Sequence, residues 1–232
     1  MSPQQIVFGA ILAVAIGLLV TERLRPDLVA MLQEGAERDG AMLRIVRSAG
    51  NRAVLAAAVE TAEQALELDG LYARELASWA APPGSTRHDG VPQTACSARS
   101  EFTLPNFPAR DFTKGHRWGV AESSPSAAPR SAGLVCILTT AGDSLIDWVN
   151  AGQALQRALL TGAACGVAAA LHSQPLERAR LRDFLRIQLC DGAYPQLVLR
   201  LGTATQTAAS VWRAPASVLF ASGGERLTIS DE

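Results

Sequence analysis

The sequence lacks several patterns that would assign a function directly. It has no GxGxxG and no GxxxxGK[ST] loop, so nucleotide binding of the Rossmann or P-loop type has no support. It has no GxSxG nucleophile elbow and no pair of acids that stands out from ordinary helix surface charge, so hydrolase chemistry is not indicated. Its 21 basic and 22 acidic residues nearly cancel, which argues against nucleic acid as a partner.

Cysteine is scarce as well. The four cysteines are far apart and form no CxxC pair: Cys96, Cys136, Cys165 and Cys190. Neither a zinc site nor a redox dithiol is therefore indicated, and we expect small buried thiols in a reducing compartment. A metal site that combines Cys96 with His88 and His116 is disfavoured, because the spacing fits no known ligand pattern and no carboxylate accompanies it. We predict no metal.

What the chain does have is apolar content: 48% of its 232 residues are hydrophobic, enough for one substantial core or two small ones. Residues 6–20 form an uncharged run that Arg23 and Arg25 follow, which favours a membrane-associated helix with the next domain on the cytoplasmic side. The run is shorter than the roughly 20 residues of a spanning helix. A buried or interfacial helix, or a gene-fusion product, is the alternative.

The remaining chain alternates between helical and extended patterns, which predicts an α+β fold of helices covering a sheet. The predicted helices cover residues 27–38, 52–68, 71–79, 144–165 and 176–189, and the predicted strands cover residues 42–46, 134–139 and 195–201. The acids Glu60, Glu63 and Glu67 are expected on the solvent-facing side of their helix. In the helix over residues 71–79 we expect Leu71, Leu76 and Trp79 to be buried, and in the helix over residues 176–189 we expect Leu181, Phe184, Leu185 and Leu189 to point inward. Ser144 and Asp147 form the pattern of a capping box at the start of the helix over residues 144–165, in which Leu145, Trp148, Leu155 and Leu159 lie near one face. Residues 81–133 are rich in proline and glycine and are predicted to form a long loop.

Two segments resemble a known family. Asp147–Leu160 (DWVNAGQALQRALL) and Tyr194–Gly202 (YPQLVLRLG) are similar to the C-terminal half of nitroreductase-family proteins, in particular the Acg-like branch. Leu104–Phe112 (LPNFPARDF) resembles the LPxRDF-type turn of that family with insertions. The resemblance covers about residues 34–218, whereas Val20–Leu32 resembles the first helix of divalent anion/sodium symporters. We accordingly predict an N-terminal segment, 1–33, and a nitroreductase-like domain, 34–232.

The nitroreductase resemblance implies a mixed sheet flanked by helices, FMN held between two halves that usually come from two subunits, and hence a homodimer. It implies electron transfer from NAD(P)H to a nitroaromatic or quinone-type acceptor. It also places His172, Ser173 and Gln174 beside the flavin ring and Arg213 at its phosphate. Leu171 stands where relatives usually have proline. No residue is singled out as catalytic.

Two of these assignments have an ordinary alternative. An isolated loop histidine such as His172 is commonly solvent-facing, and an arginine in a tail such as Arg213 is commonly just solvated. Gln174 is the better candidate for the flavin contact, because its amide can offer both a donor and an acceptor to a ring edge. At the level of the whole chain, a noncatalytic, stress-associated protein that sequesters a flavin or another ligand is the alternative to an oxidoreductase, and a misassembled reading frame is a third.

Overall fold

The computed structural model describes residues 24–82, 84, 85, 87, 89–91, 103–112 and 130–203. These residues belong to two compact units, the first formed by residues 24–63, 103–108 and 130–203 and the second by the others. In chain order the elements are α1 (Pro26–Arg38), β1 (Met42–Ile45), α2 (Ala49–Glu67), α3 (Gly70–Trp79), β2 (Thr103–Leu104), β3 (Arg130–Ser131), β4 (Leu134–Thr140), α4 (Leu145–Ala164), β5 (Ala168–Leu171), a 3-10 turn (Gln174–Glu177), α5 (Ala179–Leu189) and β6 (Tyr194–Gly202).

The first unit is built on a four-stranded sheet in the order β1-β4-β6-β5. All three strand pairings are antiparallel, so the mixed sheet implied by the resemblance is wrong for these four strands. The central strand β4 is buried along nearly its whole length, as its continuous apolar run predicted. A second, two-stranded parallel pair joins β2 to β3, with Thr103 opposite Arg130 and Leu104 opposite Ser131.

Helices cover both faces of this sheet, so the predicted α+β architecture of helices on a sheet is confirmed. On one face, Leu32 of α1 and Ala154 of α4 pack with Leu138 and Leu199 of the sheet. On the other face, α2 and α5 pack with Phe107 and with the opposite sides of β4 and β6. The two apolar clusters are the core of the first unit.

Helix α1 confirms the helix predicted over residues 27–38 and begins at Pro26, where a missing amide costs no helical hydrogen bond. It continues without interruption across the predicted boundary at residues 33 and 34. Arg157 of α4 donates two hydrogen bonds to Asp39 at the C-terminal end of α1, at 2.7 and 2.9 Å. The division of the chain at residue 33 stays a prediction.

Helix α4 begins as predicted with a capping box, in which the Ser144 amide donates to the Asp147 carboxylate at 2.9 Å. Of the apolar residues predicted near one face of this helix, Leu155 packs against the core, whereas Leu145 and Trp148 are exposed. The buried positions are Ala151, Ala154, Ala158 and Gly162. Small side chains let the helix lie close to its neighbours, and larger residues such as Trp148 take the outer side.

Two other predicted helices needed correction. The helix predicted over residues 176–189 is divided into the 3-10 turn and α5, and Phe184, predicted to be buried, is 43% exposed. In α2, Glu63 was predicted on the wet face but is only 5% exposed. The alternation of charge with helical spacing identified the helix correctly and misplaced this one side chain.

In the second unit, Asp69 caps α3 by accepting hydrogen bonds from the amides of Leu71 and Tyr72. Leu76 is buried as predicted, whereas Leu71 and Trp79 are exposed. Arg110 donates to the Tyr72 hydroxyl at 2.9 Å and lies over its ring.

Among the described residues, no helix is both long and apolar enough to cross a membrane. Residues 6–20, where the membrane-associated helix was predicted, lie outside them.

Candidate functional site

The turn predicted to contact a cofactor follows β5, a short strand that the sequence analysis did not predict. His172 continues the β5–β6 pairing by one hydrogen bond, because its amide donates to the Val198 carbonyl at 2.8 Å. The chain then enters the 3-10 turn, and the Leu176 amide donates to the Ser173 carbonyl. The turn is thus fixed to the sheet on one side and to a short helix on the other.

His172 is buried, with an exposed fraction of 2%, so it is not the solvent-facing loop histidine considered above. Its Nε2 lies 2.9 Å from the Arg200 Nε, and its Nδ1 lies 3.2 Å from the Pro108 carbonyl oxygen. A guanidinium can only donate and a carbonyl can only accept. The ring must therefore be neutral, with its proton on Nδ1, and both ring nitrogens are engaged by the protein.

The electrostatic setting favours the same neutral form. Burial, followed by the positive charge of Arg200, lowers the pKa of His172 to about 4, and the hydrogen bond to Pro108 partly opposes this shift. His172 is accordingly an uncharged hydrogen-bonding group at neutral pH.

Phe107 completes this group. Its ring is 1% exposed, its centroid is 5.5 Å from that of His172, and the guanidinium carbon of Arg200 is 5.5 Å from the same ring. Thr103 holds the backbone here, because its Oγ1 accepts from the Phe107 amide at 3.2 Å and donates to the Pro105 carbonyl at 2.8 Å. We call Phe107, Pro108, His172, Gln174 and Arg200 the His172 cluster.

Gln174 is the fully buried member of the cluster, with an exposed fraction of 0%. Its Nε2 donates to the Pro108 carbonyl at 3.4 Å, so that oxygen accepts from both Gln174 and His172. Its Oε1 is buried and has no hydrogen-bond partner among the described residues. The amide is directed into the protein interior.

The side chains of residues 172–174 were predicted to lie beside a flavin ring. A side chain that serves the ring edge of a flavin needs a free donor or acceptor directed toward the cofactor. The imidazole of His172 has both nitrogens engaged, so it has no free donor or acceptor for that contact. The amide of Gln174 is enclosed, but its Oε1 has no hydrogen-bond partner among the described residues, and the flavin contacts of both side chains stay predictions. Ser173 is partly exposed between them. Arg213 lies outside the described residues, and its role and that of Ser173 stay predictions.

A second polar group, which the sequence analysis did not identify, surrounds Asp143 between β4 and α4. Arg182 donates two hydrogen bonds to the Asp143 carboxylate, at 2.6 and 2.8 Å. Trp148 Nε1 and Gln196 Nε2 also donate to it, at 2.8 and 3.1 Å. The Arg182 guanidinium holds the pKa of Asp143 well below its usual range, and Trp148 and Gln196 contribute. These hydrogen bonds connect α4, α5 and β6, and both oxygens of the Asp143 carboxylate accept hydrogen bonds.

The thiols of Cys136 and Cys190 are not poised for chemistry. Both are buried, and burial raises their pKa to about 12 and about 11, so they are protonated at neutral pH. Cys165, expected to be buried, is exposed. Within the part of the chain that the structure describes, no three His, Cys, Asp or Glu side chains are grouped as metal ligands. His88, Cys96 and His116 lie outside that part.

Comparison with known proteins gives a sequence relationship. No family model matches the chain. Two proteins of Mycobacterium tuberculosis, from strains H37Rv and CDC 1551 and each named "Putative NAD(P)H nitroreductase", are 34% identical to it over 183 residues. The alignment covers 76% of this chain and 48% of each relative, so the chain spans about half the length of the curated relatives it matches.

Solved structures with some likeness include nitroreductases with bound FMN from Desulfitobacterium hafniense and Bacteroides fragilis. Their TM-scores are 0.45 and 0.43 at 13% and 10% identity. The first likeness covers 84% of this chain and 86% of that protein, and the second covers 86% and 88%. The chain is thus similar in sequence to mycobacterial proteins named as NAD(P)H nitroreductases.

Proposed function

We propose that this chain is a nitroreductase-type oxidoreductase that binds FMN and transfers electrons from NAD(P)H to a nitroaromatic or quinone-type acceptor. The observation that carries the proposal is its 34% identity over 183 residues to proteins named as NAD(P)H nitroreductases. Because it spans 48% of their length, the activity of the whole relative is extended to this chain only as part of the proposal.

When bound, FMN would supply the redox chemistry, and the chain would supply binding and orientation. The proposed contacts are Ser173, which is partly exposed, Gln174, whose buried Oε1 has no hydrogen-bond partner among the described residues, and Arg213 for the phosphate. His172 is not among them, because both of its ring nitrogens are hydrogen-bonded within the first unit. A guanidinium suits a phosphate because it can make two parallel hydrogen bonds. We further propose a homodimer, in which a second chain contributes to the flavin site.

A noncatalytic protein that sequesters a flavin or another ligand is the second candidate. One observation favours it: the imidazole of His172 and the amide nitrogen of Gln174, both expected beside the flavin ring, make intramolecular hydrogen bonds. In that case the fold is retained and electron transfer is absent.

The test is a visible absorption spectrum of the full chain after incubation with FMN and desalting, followed by anaerobic addition of NADPH or NADH. The oxidoreductase proposal predicts a retained flavin band that bleaches with the nicotinamide and returns with a quinone. A retained band that never bleaches supports the sequestering alternative. A protein that is folded by circular dichroism but colourless contradicts FMN binding.

A matched pair of variants locates the phosphate. Arg213→Ala is expected to weaken the retained band, whereas Arg180→Ala, which removes an exposed arginine of α5, is expected to leave it unchanged. Equal loss in both variants would show a general charge effect and contradict the assignment to Arg213.

A further inference from the structure

Arg200 lies on β6, where the backbone pairs with Val135 of β4 on one side and Ala170 of β5 on the other. Its side chain contacts two segments that are distant from each other in sequence. Its Nε donates to His172, which in turn donates to Pro108, and its Nη1 lies 3.4 Å from the Ala132 carbonyl. Within the long proline- and glycine-rich loop, Pro108 lies in the described stretch 103–112 and Ala132 in the described stretch 130–133.

Three further contacts hold these stretches in the same place. The β2–β3 pair joins residues 103–104 to residues 130–131. Gly133, with φ +67°, brings the backbone so close to β6 that an added Cβ would lie 2.5 Å from the Leu201 carbonyl oxygen. Phe107 and Ala132 are both buried in the apolar cluster on the same face of the sheet.

We propose that Arg200 and His172 together form an anchor that fixes both stretches of the loop to the sheet, and that His172 serves this anchor rather than a ligand. The anchor uses the fork of the guanidinium, which can donate in two directions, and an imidazole that accepts on one nitrogen and donates on the other. The inference does not depend on whether the chain binds FMN.

The chemistry explains why these residue types are needed. Lysine at position 200 would carry its charge on a single nitrogen. It could not replace the two separate nitrogens of the guanidinium that contact His172 and the Ala132 carbonyl. A doubly protonated His172 would present a donor to Arg200, and the contact would become repulsive. Gln174 adds a second donor to Pro108, so the carbonyl stays bonded from two sides.

The experiment is hydrogen exchange with mass spectrometry on the full chain. In Arg200→Lys and His172→Gln, we expect peptides covering residues 103–108 and 130–133 to exchange at least about tenfold faster, as loss of a partly buried hydrogen bond from a charged donor implies. Peptides from α1 should stay unchanged. The control Arg180→Lys alters an exposed arginine and should change neither set. Unchanged exchange at residues 103–108 and 130–133 would overturn the anchor.

A measurement on the unaltered protein covers the case in which a variant fails to fold. A two-dimensional ¹H–¹⁵N spectrum that detects imidazole nitrogens is expected to show His172 neutral at pH 7 with its proton on Nδ1. A proton on Nε2, or a charged ring, would contradict the anchor.

Flavin binding is scored separately. If the unaltered chain retains FMN, His172→Gln should retain it equally, and loss of flavin without faster exchange at residues 103–108 would make His172 a ligand contact and overturn the inference. If the unaltered chain retains no FMN, the proposed function fails, and the exchange rates still decide the anchor.

Discussion

The His172 cluster and the Asp143 group each contain an arginine, but the groups that surround the two guanidinium charges are different. Arg182 is 26% exposed and meets a carboxylate that is itself 26% exposed. Arg200 instead meets a neutral imidazole that is almost completely buried and the face of an aromatic ring. The first is a partly solvated ion pair, whereas the second depends on burial and on one protonation state. They should respond differently to truncation and to pH.

Truncation of the ring in the buried cluster should have the largest effect. Phe107→Ala is expected to lower the free energy of unfolding by about 3 to 5 kcal/mol, because it empties a fully buried aromatic site and removes a neighbour of His172. The matched variant Phe184→Ala removes a ring that is partly exposed on α5 and should cost much less. Urea unfolding of both variants measures the difference, and equal losses would contradict the assigned burial.

Acid should weaken the His172 cluster next. Its pKa is about 4 in the folded chain against 6.5 in the unfolded one, so between these values the unfolded chain binds the extra proton. Stability is therefore fully present above pH 6.5 and falls as the pH drops toward 4, by up to about 3 kcal/mol. Subtracting the pH profile of His172→Gln from that of the unaltered chain isolates this contribution. A flat difference would contradict the depressed pKa.

Acid should weaken the Asp143 group as well, by a smaller amount and at lower pH. Its carboxyl pKa is lowered by Arg182, so its contribution is present above the ordinary value of 3.8 and is lost only as the pH falls below it. Asp143→Asn should cost about 1 kcal/mol at pH 7, as expected for a partly exposed pair within a network. Urea unfolding at low and high salt measures this. A loss larger than that of Phe107→Ala would reverse the comparison.

The outer side of α4 should show almost no effect. Leu145 is exposed, so Leu145→Ser is expected to change the free energy of unfolding by less than about 0.5 kcal/mol. A clear loss of stability that depends on protein concentration would show instead that this side of α4 is covered in an oligomer.

The sequence predicted those parts of the fold whose signals are local. The apolar run of β4 and the capping box of Ser144 and Asp147 are contained in a few residues, and both are observed. Strand β5 was missed because Ala168–Leu171 (AAAL) has no β-branched or aromatic residue, so its extended form depends on pairing with β6. Leu145 and Trp148 of α4 are exposed because alanines give most of the close packing of this helix, and the apolar pattern did not indicate this.

The candidate site was harder to predict than the fold, because its contacts join residues that are far apart in the sequence. His172 was judged as an isolated histidine, yet its partners Arg200 and Pro108 lie 28 and 64 residues away along the chain. No local pattern reports such contacts, and they decide whether the ring is exposed, charged or available to a ligand. Asp143 lies just before the N-cap of α4, and nothing in the sequence around it indicates its partner Arg182, which is 39 residues away.

The most direct test of the account is a titration of FMN fluorescence with the unaltered chain and with His172→Gln, side by side. We predict saturable quenching with the same Kd in both proteins, because the chain binds flavin without the His172 side chain. No saturable quenching by the unaltered chain would contradict the proposed function, and binding at least about tenfold weaker in His172→Gln, about 1.4 kcal/mol, would contradict the role assigned to His172.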